Sequence, residues 1–240
     1  HEDVKTAISE ALDQGIRFAI ASGRSYQDIL PFTKEHGLSC EIIAGNGAEY
    51  YDRDGKLLAT CYLDKELFKR VKDICHERHI LYMAYTSKRL LTEYDAHEVQ
   101  WGFAGHGAHQ SKEAQEEVFK KVMKFAPVRH LVHADDILNG LDADEEIVKL
   151  EGFSSDKEEM KALKEVLADI PGIAYLSSFV TNVEVTNEEA TKGKIVMKVI
   201  KSLGIEPDEV LVLGDGMNDI SMFELFKNSA APENAQEEIK

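Results

Sequence analysis

Hydrophobic residues recur along this chain at two spacings, and the arrangement changes twice. At the start, Val4, Ala7, Ile8, Ala11 and Leu12 share one face of a helix that Gly15 closes. Phe18-Ala19-Ile20-Ala21 then reads as a short buried strand ending in the polar turn Ser22-Gly23-Arg24. The spacing predicts a second helix over Tyr26 to Phe32, then a strand at Ile42-Ile43-Ala44 that ends in Gly45-Asn46-Gly47. Tyr50 to Leu58 reads as a hairpin turning at Asp54-Gly55.

From about Leu63 to Ile173 the order becomes helix, strands, helix, strands, helix. Leu67, Phe68, Val71, Ile74 and Cys75 mark one amphipathic helix; Val118, Val122 and Phe125 mark another; Met160, Leu163 and Leu167 mark a third. Ile80 to Tyr85, Arg89 to Tyr94, His130 to His133 and Glu146 to Leu150 are strand-like. This stretch reads as a self-contained α+β module.

The first arrangement then returns. Asn182 to Thr186 is strand-like, and Lys192-Gly193-Lys194 opens a helix with Ile195, Val196, Val199, Ile200 and Leu203 on one face and Gly204 at its end. Val210-Leu211-Val212-Leu213 reads as a fully buried strand running into Gly214-Asp215-Gly216-Met217-Asn218-Asp219, and Ile220 to Phe226 has helical spacing. A last helix is expected from Pro232-Glu233. The order predicts an α/β fold: a doubly wound, mostly parallel core sheet made of residues 1–58 and 186–240, interrupted by an α+β insert over 59–185.

Charge narrows the partners. Lys and Arg number 28 against 44 Asp and Glu, a net of −16 spread along the chain, which argues against a nucleic-acid backbone or an anionic membrane. A phosphorylated small molecule stays open, because a divalent ion and a few local donors reverse the field at a site. Cys40, Cys61 and Cys75 form no CxxC, which suits buried thiols in a reducing cytoplasm. No run reaches membrane length, and a monomer or homodimer is expected. His97, His106, His109, His130 and His133 all fall in the insert without HExxH or zinc spacing, and a structural or surface role is expected for them. His130 and His133 are expected on opposite faces of a strand, and Trp101-Gly102-Phe103 either in the core of the insert or at an edge facing substrate.

Polar turns follow three of the predicted core strands, and Lys192 stands at the mouth of a helix. Ligands in open α/β sheets sit at such strand ends. A hydroxyl beside backbone N–H groups can hold phosphoryl oxygens, a lysine adds positive charge, and Asp215 can take a hard cation such as Mg²⁺. Alone, the Gly214 to Asp219 turn also reads as an ordinary βα loop with an Asp cap and a tightening glycine, and Ser-Gly dipeptides are common in loops.

Together, Ala21-Ser22-Gly23-Arg24, Gly45-Asn46-Gly47-Ala48, Lys192-Gly193 and Gly214 to Asp219 resemble the motifs of the haloacid dehalogenase superfamily, in particular its Cof-type sugar-phosphate phosphatases. The resemblance covers almost the whole chain. It implies a Rossmann-like core with a large α+β cap and a Mg²⁺-dependent phosphatase acting on a small phosphorylated metabolite through an aspartyl-phosphate intermediate. It implies that Ser22 and the Gly23 backbone bind the transferring phosphoryl group and that Lys192 neutralises nucleophile and phosphate. Asp215 resembles the Mg²⁺ ligand, Asn218 a phosphate contact, and Asp219 a support for Lys192 and the metal shell; Arg24 and Asn46 line the same mouth.

The family's first motif, an Asp-x-Asp-Gly-Thr sequence carrying nucleophile and general acid/base, does not occur in residues 1–240. It is expected upstream of His1, on a strand and loop of roughly 10–25 residues, with a smaller deficit beyond Lys240. Two alternatives are a phosphomutase of the same superfamily and a non-catalytic phospho-ligand-binding protein.

Overall fold

The computed structural model describes residues 2–104, 112–125, 127–177, 179–235, 237 and 239–240. The chain divides into two compact units, residues 1–61 with 189–240, and residues 62–188.

In the first part of the core unit, helix α1 (Glu2–Asp13) leads to strand β1 (Ala19–Ala21), helix α2 (Tyr26–Glu35) and strands β2 (Glu41–Ala44), β3 (Glu49–Tyr51) and β4 (Leu57–Thr60). The strands form one sheet in that order, with β1 and β2 parallel and β2, β3 and β4 antiparallel. The β3–β4 hairpin turns at Gly55, which adopts φ +80°. A left-handed residue here favours glycine because it has no Cβ to clash.

The second unit contains helices α3 (Lys65–Glu77), α4 (Ala96–Ala104), α5 (Lys112–Phe125) and α6 (Lys157–Ala168). Its strands are β5 (Leu81–Thr86), β6 (Leu90–Thr92), β7 (Leu131–His133), β8 (Ile147–Phe153), β9 (Ile173–Leu176) and β10 (Asn182–Asn187). They form a six-stranded sheet, ordered β7-β6-β5-β8-β10-β9. Asp64 and Asp156 cap α3 and α6, each accepting from two backbone N–H groups of the first turn. Phe68, Val71 and Cys75 of α3 and Met160, Leu163 and Leu167 of α6 pack with Tyr82, Leu150, Val183 and Val185 of the sheet.

One expectation for this unit needs correction. His130 lies in a 3-10 turn (Pro127–His130) that precedes β7, so it does not share a strand with His133. Trp101 is half-buried on α4 against Phe119, and Phe103 meets Phe153 edge-on. His106 and His109 lie outside the described residues, as do the side chains of Val122 and Phe125.

The chain returns to the core unit as helix α7 (Lys192–Leu203), strand β11 (Leu211–Leu213), helix α8 (Ile220–Leu225) and strand β12 (Asn228–Ala230). The period of two along β1 and β2 sends side chains to both faces of their sheet. Ile20, Ile42 and Ala44 pack with Tyr26 and Ile29 of α2, whereas Ala19, Ala21 and Ile43 join Ile195, Val196, Val199 and Ile200 of α7. Helices thus cover both faces, the doubly wound α/β arrangement.

Two expectations fail at the C-terminal end. Strand β11 is not fully buried: Val212 packs in the α7 cluster, but Leu211 and Leu213 are 65% and 62% exposed. Neighbours along a strand point to opposite faces, and among the described residues only the Val212 face is covered. The helix expected from Pro232 is absent among the described residues there, which form turns with Ala235 N–H donating to the Pro232 carbonyl; residues 236 and 238 lie outside the described set. Three residues earlier the chain is already extended as β12, paired parallel to β11.

Candidate active site

Four segments of the core unit meet through their backbones. The first is the turn after β1. Ser22 N–H donates to the Ile43 carbonyl at 2.9 Å, which extends the β1–β2 ladder by one residue. The Ser22 hydroxyl oxygen accepts from the Arg24 N–H at 3.2 Å, so its own proton remains for another acceptor. The Arg24 side chain is exposed and has no hydrogen-bond or ion-pair partner among the described residues.

The second segment is the 3-10 turn Gly45–Gly47 after β2. Its Gly45 N–H donates to the Arg24 carbonyl at 2.9 Å and its Asn46 N–H to the Ser22 carbonyl at 3.0 Å. Gly47, at φ +104°, brings the turn against the start of α7, where an added Cβ would lie 2.5 Å from the Thr191 carbonyl carbon and oxygen.

The third is the N-terminus of α7. Thr191 caps it, its hydroxyl accepting from the Lys194 N–H, and the Gly193 N–H donates to the Ser221 hydroxyl oxygen at 3.0 Å. Two of the free N–H groups of this helix end are therefore used inside the protein. The end contributes mainly its positive dipole and the Lys192 ammonium.

The fourth is the loop between β11 and α8. Lys192 is only 4% exposed, and its Nζ donates to Asp219 Oδ1 at 2.6 Å. The other carboxylate oxygen of Asp219 accepts the N–H groups of Asp215 at 3.0 Å and Gly216 at 3.2 Å. One buried carboxylate thus ties the lysine to the loop and folds the loop over itself. Asn218 Nδ2 reaches back to Asn46 Oδ1 at 3.2 Å. Asp215 is exposed, and its carboxylate has no hydrogen bond or ion pair among the described residues.

The residues singled out from sequence, Ser22, Gly23, Arg24, Asn46, Lys192, Asp215, Asn218 and Asp219, all belong to these four segments. Sequence reasoning missed Thr191, Ser221 and the close approaches behind Gly47, Gly193 and Gly214. Glycine is a poor helix former, so Gly193 in the first turn of α7 signals a close approach. An added Cβ there would sit 2.0 Å from the Ser221 carbonyl oxygen, and at Gly214 it would sit 2.5 Å from Asp219 Cβ. Gly193→Ala should therefore cost about 3 kcal/mol of stability, a Tm fall of roughly 6–12 °C. Gly152→Ala, whose new methyl would meet nothing closer than 3.5 Å, is the control and should unfold near the wild-type temperature. Thermal unfolding by circular dichroism checks the pair.

Burial holds the Cys40 thiol at about 11 and the Cys75 thiol at about 12, so both remain protonated and inert. Among the described residues no helix is long and apolar enough to cross a membrane. Nor do three or more His, Cys, Asp or Glu side chains among them converge to hold a metal.

The family model of haloacid dehalogenase-like hydrolases matches residues 1–240. The chain is 28% identical over 241 residues to the 5-amino-6-(5-phospho-D-ribitylamino)uracil phosphatase YwtE of Bacillus subtilis, covering 98% of this chain and 82% of that protein. It is 26% identical over 242 residues to the phosphatase YwpJ of the same species, covering 98% and 84%. A solved haloacid dehalogenase-like hydrolase from B. subtilis shares the fold with a TM-score of 0.81 at 23% identity, over 98% of this chain and 84% of that one.

Proposed function

The chain belongs to the haloacid dehalogenase-like hydrolase family, as a phosphatase of its Cof type, and from that premise we propose that it hydrolyses a small phosphorylated metabolite with Mg²⁺ through an aspartyl-phosphate intermediate. The observation that carries this reading is the Lys192–Asp219 pair. A lysine is expensive to bury, and this one is held by a buried carboxylate against the loop that bears Asp215. A cation fixed in that way stabilises charge on a transferring phosphoryl group without reorganising as the charge develops.

The remaining roles follow from where each residue stands among the four segments. Ser22 keeps its hydroxyl proton for a phosphoryl oxygen, and the Gly23 backbone and the Arg24 guanidinium stand beside it. Asn218 is a phosphate contact. Asp219 holds Lys192 in place and touches no substrate. Asp215 fits a cation ligand, because its carboxylate is exposed and without a protein partner among the described residues. Mg²⁺ commonly takes one or two carboxylates and fills its shell with water and phosphate oxygens. When bound it would neutralise phosphoryl oxygens beside the cation of Lys192.

The attacking carboxylate is proposed to lie upstream of residue 1, on a strand between β1 and β11. In support, β1 pairs only with β2, and β11 only with β12, among the described residues, so each keeps an open edge. In the forward step that carboxylate oxygen bonds to phosphorus as the ester oxygen leaves and takes a proton. Water then cleaves the acyl phosphate to give inorganic phosphate and restore the carboxylate. The protein is proposed to act in the cytoplasm, where its thiols stay reduced.

Phosphoryl chemistry alone does not tell one phosphate ester from another, so the unit of residues 62–188 is proposed as a cap that reads the leaving group. A panel of phosphorylated sugars, polyols, nucleotides and cofactors should give a clear preference with the full-length protein. A folded variant lacking the insert should lose that ranking. Identical rankings would remove the cap from specificity.

A further inference from the structure

The turn Gly45–Gly47 touches each of the other three segments of the site, and Asn46 is the residue through which it reaches two of them. Its N–H holds the Ser22 carbonyl, and its Oδ1 receives the Asn218 amide. Asn46 is 3% exposed and sits at φ +60°, ψ +22°, a left-handed conformation that asparagine tolerates better than most residues with a Cβ. Gly23 makes room for its carboxamide, since a Cβ at Gly23 would fall 2.7 Å from Asn46 Oδ1. Its backbone conformation and its neighbour Gly23 thus both suit an amide oxygen placed opposite Asn218.

We propose that Asn46 is a positioning residue that acts through Asn218. Its carboxamide oxygen fixes the rotation of the Asn218 amide while its N–H fixes the Ser22 turn, so two phosphate-holding segments keep one spacing. The proposal rests on the phosphatase reading for its kinetic consequence only. A carboxamide that acts through Asn218 has no kinetic effect once the Asn218 amide is gone, which a double-mutant cycle reads directly.

The test uses the full-length protein with p-nitrophenyl phosphate and Mg²⁺. Asn46→Gly removes the carboxamide and keeps the left-handed backbone accessible. It should lower kcat about tenfold, as misplacement of a phosphate contact does. Asn218→Ala should lower it at least as much, and the double variant should be no slower than Asn218→Ala. Multiplied losses would mean that Asn46 acts on its own and would overturn the proposal. So would normal activity in Asn46→Gly beside a loss in Asn46→Ala, since the backbone turn and not the carboxamide would then matter. An independent readout is the side-chain amide signal of Asn218 in a ¹⁵N–¹H spectrum, assigned by its loss in Asn218→Ala. It should move in Asn46→Gly, and an unmoved signal would overturn the proposal even with altered kinetics. If the wild type hydrolyses no phosphomonoester, the phosphatase reading fails, and the amide signal still decides the positioning role.

Discussion

Lys192→Ala is expected to lower kcat on p-nitrophenyl phosphate by about 10²–10³-fold, the usual loss when a preorganised charge-stabilising group is removed. Lys194→Ala, two positions on, should change it by less than about twofold. The difference is one of environment. Lys192 is buried and held by Asp219, whereas Lys194 is exposed and pairs with an exposed Glu189 at 2.7 Å. Removing Lys192 also leaves Asp219 buried with its charge uncompensated, at a cost of about 3–5 kcal/mol. Two backbone N–H groups continue to satisfy the second oxygen of Asp219, so the loop keeps part of its support. The kinetic comparison therefore needs a temperature below the lowered Tm of Lys192→Ala. Equal effects of the two lysines in folded protein would contradict the role given to Lys192.

Asp215→Ala should separate chemistry from folding more cleanly. Its carboxylate supports no hydrogen bond or ion pair among the described residues and is exposed. Truncating it should shift stability by no more than about 0.5 kcal/mol, while Mg²⁺-dependent hydrolysis is abolished. Asp219→Ala, four residues away, should lose both activity and stability, because that carboxylate is buried and accepts three hydrogen bonds. Calorimetric titration with Mg²⁺ checks the assignment without turnover: binding should weaken in Asp215→Ala. Retained activity at an unchanged Mg²⁺ dependence would overturn it.

Much of the site was legible in the sequence, because apolar runs mark the strands and polar turns mark their ends. Ser22, Asn46 and Asp215 were placed at strand ends on that ground alone, and each follows β1, β2 or β11. Helix α7 was legible at both ends, with Gly204 at φ +69° closing it. Strand β12 was not. Asn228, Ser229 and Ala230 are all exposed, so no apolar alternation marks them, and their extended form comes from pairing with Leu211, Val212 and Leu213. The exposure of Leu211 and Leu213 was equally hidden, because an apolar run does not say which of its faces is covered. Ser221 escaped notice for another reason. Its bond to the Gly193 N–H joins residues 28 positions apart, and only the otherwise unfavourable glycine in α7 hinted at it.

Inorganic phosphate released from a preferred phosphomonoester by the full-length protein, followed as free Mg²⁺ is removed by chelation and restored, tests the central claim most directly. Phosphate should appear stoichiometrically with the freed alcohol, stop on chelation and resume with Mg²⁺. A phosphomutase would interconvert phosphoesters without releasing phosphate, and a binding protein would hold the ester unchanged; either result, or release indifferent to the metal, would contradict a metal-dependent phosphatase built on Ser22, Lys192, Asp215 and Asn218.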